Sequence, residues 1–262
     1  MEVDHSFTGY IAKRFDNEFW AVAEQSNLDT RFLQRYAKNP LLAMVHEVDP
    51  VRYFFVGSDS ADLYFDPEKL PQGWQKTVQW VHFGGISLSR APLSERLLAL
   101  ASELKKAGVK ISYDPNFRVT MAQSYDSMLA RMTALADVVK VSDEDLRGLL
   151  RTCDEGAALQ RLRSFHPEAI YLVTEGAKGA SLYAKDEAIH ALVPKVKVVD
   201  TVGAGDASIG GLLVSLMHAP DAPFADHLKR AIACGSAACT VAGAGLPEAA
   251  KIKEIEAAVS LT

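Results

Sequence analysis

The sequence of 262 residues predicts an α/β fold in which helices cover both faces of a mostly parallel central sheet. Two observations lead to this fold class. Short apolar segments rich in β-branched residues alternate with segments of helical periodicity from residue 78 onward. Loops that carry glycine or polar residues follow these apolar segments, as at the ligand-binding edge of a parallel sheet.

The composition is that of an ordinary globular protein, with 48% hydrophobic and 23% charged residues. The net charge of −5 has no block of like charges, so we expect no nucleic-acid partner. No apolar run approaches the roughly 20 residues that span a bilayer, so we expect no membrane partner. The cysteines Cys153, Cys234 and Cys239 lack disulfide or metal spacing, which favours a reducing cytoplasm. We expect a single domain over residues 1–262.

The first part of the chain predicts one helix, a small hairpin and a strand. Apolar residues recur with helical spacing over residues 7–26. Residues 41–48 and 52–56 have strand character and are separated by a turn at Asp49-Pro50, so we expect a hairpin. Residues 78–83 predict a buried strand that ends at a pair of glycines.

Helices and strands then alternate to the end of the sheet. The predicted helices cover residues 93–107, 124–136, 143–151, 155–165 and 207–217. The predicted strands cover residues 109–113, 137–141, 169–174, 180–183 and 191–199. The polar or glycine residues that follow these strands should lie along one edge of the sheet, because parallel strands end there together. They are Gly84, Gly85, Asp114, Asn116, Arg118, Ser142, Asp145, Thr174, Gly176, Gly203 and Asp206.

The glycine turn at residues 199–206, Val-Asp-Thr-Val-Gly-Ala-Gly-Asp, is the most informative part of the sequence. A strand followed by a glycine turn and a helix points free backbone N–H groups at an anion, and phosphate is the usual one. Asp206 would repel a phosphate unless it accepts a proton from an attacking hydroxyl. The alternative is that Asp206 caps the helix, because aspartate is a favoured N-cap residue.

The string Asp200-Thr201-Val202-Gly203-Ala204-Gly205-Asp206 resembles the signature of the PfkB (ribokinase-like) family of carbohydrate kinases. Four further segments resemble the fructokinase and 2-keto-3-deoxygluconate kinase branch in the family's order: 82–88, 113–118, 140–145 and 173–180. The resemblance implies a ribokinase-like three-layer sandwich with a small β lid. The family's first strand and its sugar-binding Gly-Gly-x-x-x-Asn segment have no counterpart, so we expect a chain that lacks the N-terminal part and has an incomplete lid.

The same resemblance assigns roles to individual residues. Asp206 is implied to be the catalytic base and to contact the substrate, and Gly203, Ala204 and Gly205 to form the anion hole. Ser142 and Asp145 hold the positions that organise phosphate and Mg²⁺, with Asp145 as the metal ligand. The alternative for this pair is an ordinary helix start, with Ser142 as its N-cap.

Further residues are implied to bind the nucleotide or the sugar. Thr174, Gly176, Gly179 and Thr201 match nucleotide-contacting positions, although Thr174 and Gly176 also suit a plain tight turn. Residues 231–245 match the helix beside the adenine. Asn116 and Arg118 are the candidates for the sugar, and an arginine would suit a sugar acid.

The implied reaction is ATP-dependent phosphorylation of a sugar hydroxyl with ATP and Mg²⁺, and a monovalent cation is a further candidate cofactor. Fructose is the first choice of substrate and 2-keto-3-deoxygluconate the second. A non-catalytic nucleotide-binding remnant is the alternative from another functional class. A dinucleotide-binding dehydrogenase is disfavoured, because the G-x-G-x-x-G pattern is missing. A sheet without its N-terminal strands would expose an edge, so we expect either a homodimer or poor solubility.

Overall fold

A computed structural model of the chain describes residues 9–12, 16–48, 51–243 and 245–262. The chain divides into two compact units, Met1–Val78 with Ile86–Ala107, and Gln79–Gly85 with Gly108–Thr262. We call them unit 1 and unit 2. The single domain expected over residues 1–262 stays a prediction.

The described residues of unit 1 form two small sheets and two α-helices. Its elements are β1 (Gly9–Ala12), α1 (Asp16–Gln25), β2 (Leu33–Tyr36), β3 (Leu42–Val48), β4 (Val51–Val56) and α2 (Leu93–Lys106). Strands β3 and β4 pair antiparallel, with Leu42 opposite Val56, which confirms the predicted hairpin. Its predicted turn at Asp49-Pro50 lies outside the described residues.

The helix expected over residues 7–26 is wrong in its first part. Residues 9–12 form β1, which pairs in parallel with β2, and the helix covers only Asp16–Gln25. Residues 7–8 and 13–15 lie outside the described residues. Apolar residues within a segment as short as β1 fit the strand period as well as the helical one, so pairing with β2 decides its conformation.

Unit 2 contains one large sheet. Its strands are β5 (Trp80–Gly84), β6 (Lys110–Asp114), β7 (Val138–Ser142), β8 (Ile170–Thr174), β9 (Ala180–Ala184), β10 (Glu187–Leu192) and β11 (Ser260–Leu261). The order across the sheet is β11-β10-β9-β8-β7-β6-β5. Strands β5 to β8 are parallel, and β9, β10 and β11 each pair antiparallel with the preceding strand. Five of the seven strands therefore run in one direction, which confirms the mostly parallel sheet.

Six helices belong to unit 2 in the described residues. They are α3 (Asp126–Leu135), α4 (Asp143–Leu150), α5 (Glu155–Ser164), α6 (Ala204–His218), α7 (Phe224–Ala238) and α8 (Ala249–Ala258). Each of the predicted helices of this unit is present, with ends shifted by a few residues. Within the described ranges, no helix has the length and apolar character that crossing a membrane requires.

The strand expected over residues 191–199 is wrong beyond its first two residues. Strand β10 ends at Leu192, and residues 193–199 belong to no strand. Pro194 has no N–H to donate to a sheet. The N–H of Val199 donates instead to the carbonyl of Cys239, at 2.8 Å, and Val198 and Val199 are 59% and 55% exposed. The valine-rich alternation thus reflects a segment that runs over the surface beside α7.

Helices α6 and α7 pack closely against each other and on the sheet. Leu212 of α6 and Leu228 of α7 are fully buried in one apolar cluster with Leu172 and Leu182 of the sheet. Gly211 permits the close approach of the helices, since a Cβ there would lie 2.7 Å from Cys234 Sγ and 2.9 Å from the Arg230 carbonyl oxygen. This packing fixes the position at which α6 begins.

Candidate active site

The glycine turn leads directly into α6. Gly203 has a φ of 80° and is the N-cap residue, so a residue in the left-handed region precedes the helix. Asp206 lies in the first turn and is exposed, which excludes the N-cap alternative for its side chain. Among the described residues, no acceptor bonds the N–H groups of Gly205 and Asp206. Two free donors and the positive end of a helix dipole suit an anion.

Asp200 fixes the other end of this turn. Its carboxylate accepts hydrogen bonds from the N–H of Val202 at 3.0 Å and of Gly243 at 2.9 Å. These backbone donors hold the pKa of Asp200 below its usual value. The carboxylate therefore ties the turn to the segment that follows α7.

A cavity of about 430 Å³ lies beside the turn. Of the residues predicted to bind the nucleotide, Thr174, Gly176, Gly179, Thr201 and Gly205 line it, whereas Ser142, Asp145 and Gly203 do not. Other lining residues are Ala177, Ala180, Val193, Pro194, Lys195, Val196, Val198, Ala204, Ser208, Ile232, Gly235, Ser236 and Cys239. The wall is mainly apolar, as a flat heteroaromatic ring requires.

Two glycines shape the wall of this cavity. Gly179 has a φ of 122°, and a Cβ there would overlap the carbonyl oxygen of Ala191. A Cβ at Gly235 would overlap the hydroxyl of Ser208, so α7 comes close to the first turns of α6. The predicted adenine-side helix over residues 231–245 is present only in its first half, because α7 ends at Ala238.

A buried ionic cluster lies at the ends of β6 and β7. The ammonium of Lys140 is 3.0 Å from Asp114 Oδ2 and 4.0 Å from Asp145 Oδ2. Lys140, Asp114 and Asp145 are 5%, 2% and 6% exposed. Asp206 acts electrostatically on both Lys140 and Asp114, so the cluster extends toward the glycine turn.

The cluster has more negative than positive charge. Burial raises the pKa of Asp114 to about 6, and the attraction of Lys140 opposes this shift. Burial lowers the pKa of Lys140, but the carboxylates of Asp114, Asp145 and Asp206 outweigh it and the net shift is upward. Lys140 is therefore protonated at neutral pH.

Ser142 and Asp145 form a capping box at the start of α4. The Ser142 hydroxyl accepts from the Asp145 N–H at 2.9 Å, and Asp145 Oδ2 accepts from the Ser142 N–H at 2.7 Å. Asp145 Oδ1 accepts from the Phe117 N–H at 2.8 Å. The pair therefore forms the ordinary helix start, with Ser142 as N-cap, that was the alternative to a phosphate and Mg²⁺ site. Within the described residues no group of three or more His, Cys, Asp or Glu side chains is placed to hold a metal. The metal-ligand role of Asp145 stays a prediction.

The candidate sugar residues lie in the loop after β6. Asn116 has a φ of 45°, and its N–H donates to Asp114 Oδ1 at 2.9 Å. The Arg118 guanidinium donates to Asn116 Oδ1 at 2.6 Å and to the Phe117 carbonyl at 2.7 Å. These bonds hold the loop itself, so the sugar-binding roles of Asn116 and Arg118 stay predictions.

Sequence reasoning missed Lys140 and His82 as site residues. A lysine within the apolar run of β7 was the available signal, because a buried ammonium needs a carboxylate partner. His82 Nδ1 is 2.8 Å from Ser112 Oγ. Desolvation lowers the pKa of His82 to about 4, opposed by Asp206 and assisted by Lys140. The imidazole is therefore neutral at pH 7.

Comparisons with known proteins find related sequences and structures. A sequence model of the pfkB family carbohydrate kinases matches residues 5–251. A fructokinase from Klebsiella pneumoniae is 32% identical over 251 residues, which cover 90% of this chain and 81% of the relative.

Two solved structures are similar over nearly the whole chain. One is aminoimidazole riboside kinase from Salmonella enterica, complexed with aminoimidazole riboside and an ATP analogue. It has a TM-score of 0.83 and 30% sequence identity, and the match covers 96% of this chain and 85% of that chain. Fructokinase from Vibrio cholerae O395, in a form with fructose, ADP and calcium ion, has a TM-score of 0.83 and 28% identity, covering 95% and 84%.

Proposed function

Because the chain belongs to the pfkB family of carbohydrate kinases, we propose that it transfers the γ-phosphoryl group of ATP to a hydroxyl group of fructose. One observation carries the proposal: an exposed carboxylate, Asp206, lies in a helical turn whose N–H groups at Gly205 and Asp206 are free to bind an anion. The similarity to the Klebsiella and Vibrio fructokinases supports fructose as the sugar.

The nucleotide site in this proposal is the cavity beside α6. The adenine contacts apolar lining residues such as Val196 and Ile232, and Thr174, Gly176 and Gly179 line the same cavity. Thr201 and Gly205 line the end of the cavity at the turn, so the phosphates of ATP extend toward the free N–H groups.

The chemistry follows from the position of the carboxylate. Asp206 accepts the proton of the sugar hydroxyl as its oxygen forms a bond to the γ-phosphorus. The bond from that phosphorus to the bridging oxygen breaks, and ADP leaves with the electron pair. The N–H groups of Gly205 and Asp206, with the Gly203–Gly205 turn that places them, stabilise the negative charge on the transferring group.

The proposal includes Mg²⁺ and the remaining predicted residues. When bound, Mg²⁺ would neutralise charge on the triphosphate, with most of its ligands coming from phosphate and water. Both Asp145 oxygens already accept an N–H but keep a lone pair, so this carboxylate fits a contact through water, beside Ser142. Asn116 and Arg118 are proposed to contact the sugar. A homodimer and a cytoplasmic location, where free cysteines stay reduced, are also part of the proposal.

An ADP-release assay tests the proposal. The wild type is measured with Mg²⁺-ATP and fructose, 2-keto-3-deoxygluconate or aminoimidazole riboside, with and without KCl. Asp206→Asn is expected to lower kcat by about 10²–10⁴, the usual contribution of a general base. Asp221→Asn, an exposed aspartate between α6 and α7, is the matched control and should leave kcat unchanged.

The outcomes separate the alternatives. Fructose-dependent turnover that is lost in Asp206→Asn supports the proposal. Turnover with another sugar corrects the substrate. ATP binding without turnover on any sugar contradicts a kinase and favours the non-catalytic nucleotide-binding remnant.

A further inference from the structure

Lys140 is a buried cation in the middle of the large sheet. It lies in β7, which pairs with β6 on one side and β8 on the other. The register that sets Tyr113 opposite Val139 brings Asp114 beside Lys140. A lysine that is only 5% exposed is costly to bury, so its position calls for a specific partner or role.

The ammonium of Lys140 contacts three parts of the site. It is 3.0 Å from Asp114 Oδ2 at the end of β6 and 4.0 Å from Asp145 Oδ2 in the first turn of α4. A Cβ built on Gly205 would lie 3.0 Å from Lys140 Nζ, so the ammonium lies directly against the glycine turn. One side chain thus connects the loop after β6, the start of α4 and the start of α6.

Without this ammonium, the charges around it would repel an anion. Asp114, Asp145 and Asp206 all act electrostatically on Lys140, and Asp206 lies in the first turn of α6, where the free N–H groups would receive a triphosphate. In a site of low dielectric, such like charges act strongly on one another. Lys140 is buried against Gly205 whereas Asp206 is exposed, so the lysine supplies a positive charge on the protein side of the turn.

We propose that Lys140 is a positioning residue for phosphoryl transfer, whose ammonium offsets these carboxylates and holds the Gly205 turn against the triphosphate of the nucleotide. The inference rests on the proposed kinase function and deepens it. A purely structural role is the competing explanation, because an ion pair with Asp114 alone would also account for a buried lysine.

Three variants separate these two roles: Asp114→Asn, Lys140→Met and the double variant Lys140→Met/Asp114→Asn. For each, kcat and the KM for ATP are measured with saturating sugar, together with the melting temperature. Lys140→Met leaves buried carboxylates unpaired and can fail to fold, whereas the double variant removes both charges of the pair. Lys253→Met, at an exposed position of α8, is the matched control and should change none of these values.

The inference predicts that the double variant melts close to Asp114→Asn but has a kcat about 10²-fold lower, the usual loss when one stabilising group is removed. Its KM for ATP should also rise. A double variant with the kcat and KM of Asp114→Asn would overturn the inference, because Lys140 would then act only as the partner of Asp114.

A binding measurement keeps the inference testable if the wild type shows no turnover. Calorimetry with Mg²⁺ and the non-hydrolysable analogue AMP-PNP compares Asp114→Asn with the double variant. A Kd about tenfold higher in the double variant, which corresponds to about 1.4 kcal/mol, supports the role of Lys140 at the triphosphate. Equal Kd values overturn it. Absence of turnover in the wild type would contradict the proposed function alone.

Discussion

Replacing Arg90 by methionine should destabilise unit 1 strongly. Asp62 is fully buried, and the Arg90 guanidinium donates to its carboxylate, to the Gly57 carbonyl and, at 3.1 Å, to the Ser60 hydroxyl. The Ser60 hydroxyl also donates to Asp62. Arg90→Met would leave this carboxylate buried beside one neutral hydroxyl.

Removing one partner of a buried pair costs about 3–5 kcal/mol. At roughly 2–4 °C per kcal/mol for a protein of this size, the melting temperature should fall by about 6–20 °C. Thermal unfolding at pH 7, followed by circular dichroism, measures this shift. The tryptophan fluorescence of Trp74, which is 5% exposed and packs edge-to-face on Phe32, reports on unit 1 in the same experiment.

Two further variants decide whether the buried charge is the cause. Arg96→Met is the matched control, because Arg96 donates to the neutral carbonyls of Leu63 and Phe65 at 3.4 and 3.2 Å. Its loss should cost only about 1 kcal/mol. Arg90→Met/Asp62→Asn should recover at least half of the stability lost in Arg90→Met. A loss below about 1 kcal/mol in Arg90→Met, or an equal loss in Arg96→Met, would refute the reasoning.

Two more predictions concern the cavity wall. Gly179→Ala should cost about 2–4 kcal/mol in urea unfolding, because its backbone is left-handed and its Cβ would overlap the Ala191 carbonyl. Gly176→Ala, with a φ of 57° and nothing within 4 Å of a Cβ, should cost only about 1–2 kcal/mol, and equal costs would contradict the steric argument. Val198→Glu places a carboxylate on the cavity wall and should raise the Kd for ATP about tenfold in calorimetry, a change of about 1.4 kcal/mol. Val199→Glu, similarly exposed but outside this cavity, should leave the Kd unchanged, and a matching loss of affinity there would point to a general charge effect.

The sequence predicted a strand or helix correctly where its apolar residues fitted only one periodicity. The apolar, β-branched runs of β7 and β8 each lie between two neighbouring strands, so their pattern predicts them correctly. Residues 9–12 and 193–199 were misjudged because partners distant in the chain decide their conformation: β2 for the first and Cys239 for the second. Such partners leave no local pattern in the sequence.

The candidate site was predictable where backbone geometry requires a residue type. Gly203, with its positive φ, marks the start of α6, and Asp206 follows from it. Thr174, Gly176 and Gly179 could be predicted because they lie at the end of β8 and in the turn after it, and they line one cavity with Thr201 and Gly205. Lys140 was missed because its importance depends on Asp114, 26 positions earlier in the sequence, and on the approach of Gly205.

The contact between α6 and α7 bears on how mutational tolerance should be interpreted. A side chain at position 211 would overlap both Cys234 and the Arg230 carbonyl. Replacing Cys234 by alanine would not remove the clash, because the Cβ of residue 234 and the Arg230 oxygen would remain in place. A saturation screen for activity would therefore report Gly211 as intolerant as Asp206, although the two lie five positions apart on one helix and have unrelated roles. Abundance of the folded protein would tell them apart: variants at 211 would be depleted from the cell, and those at 206 would accumulate in an inactive form.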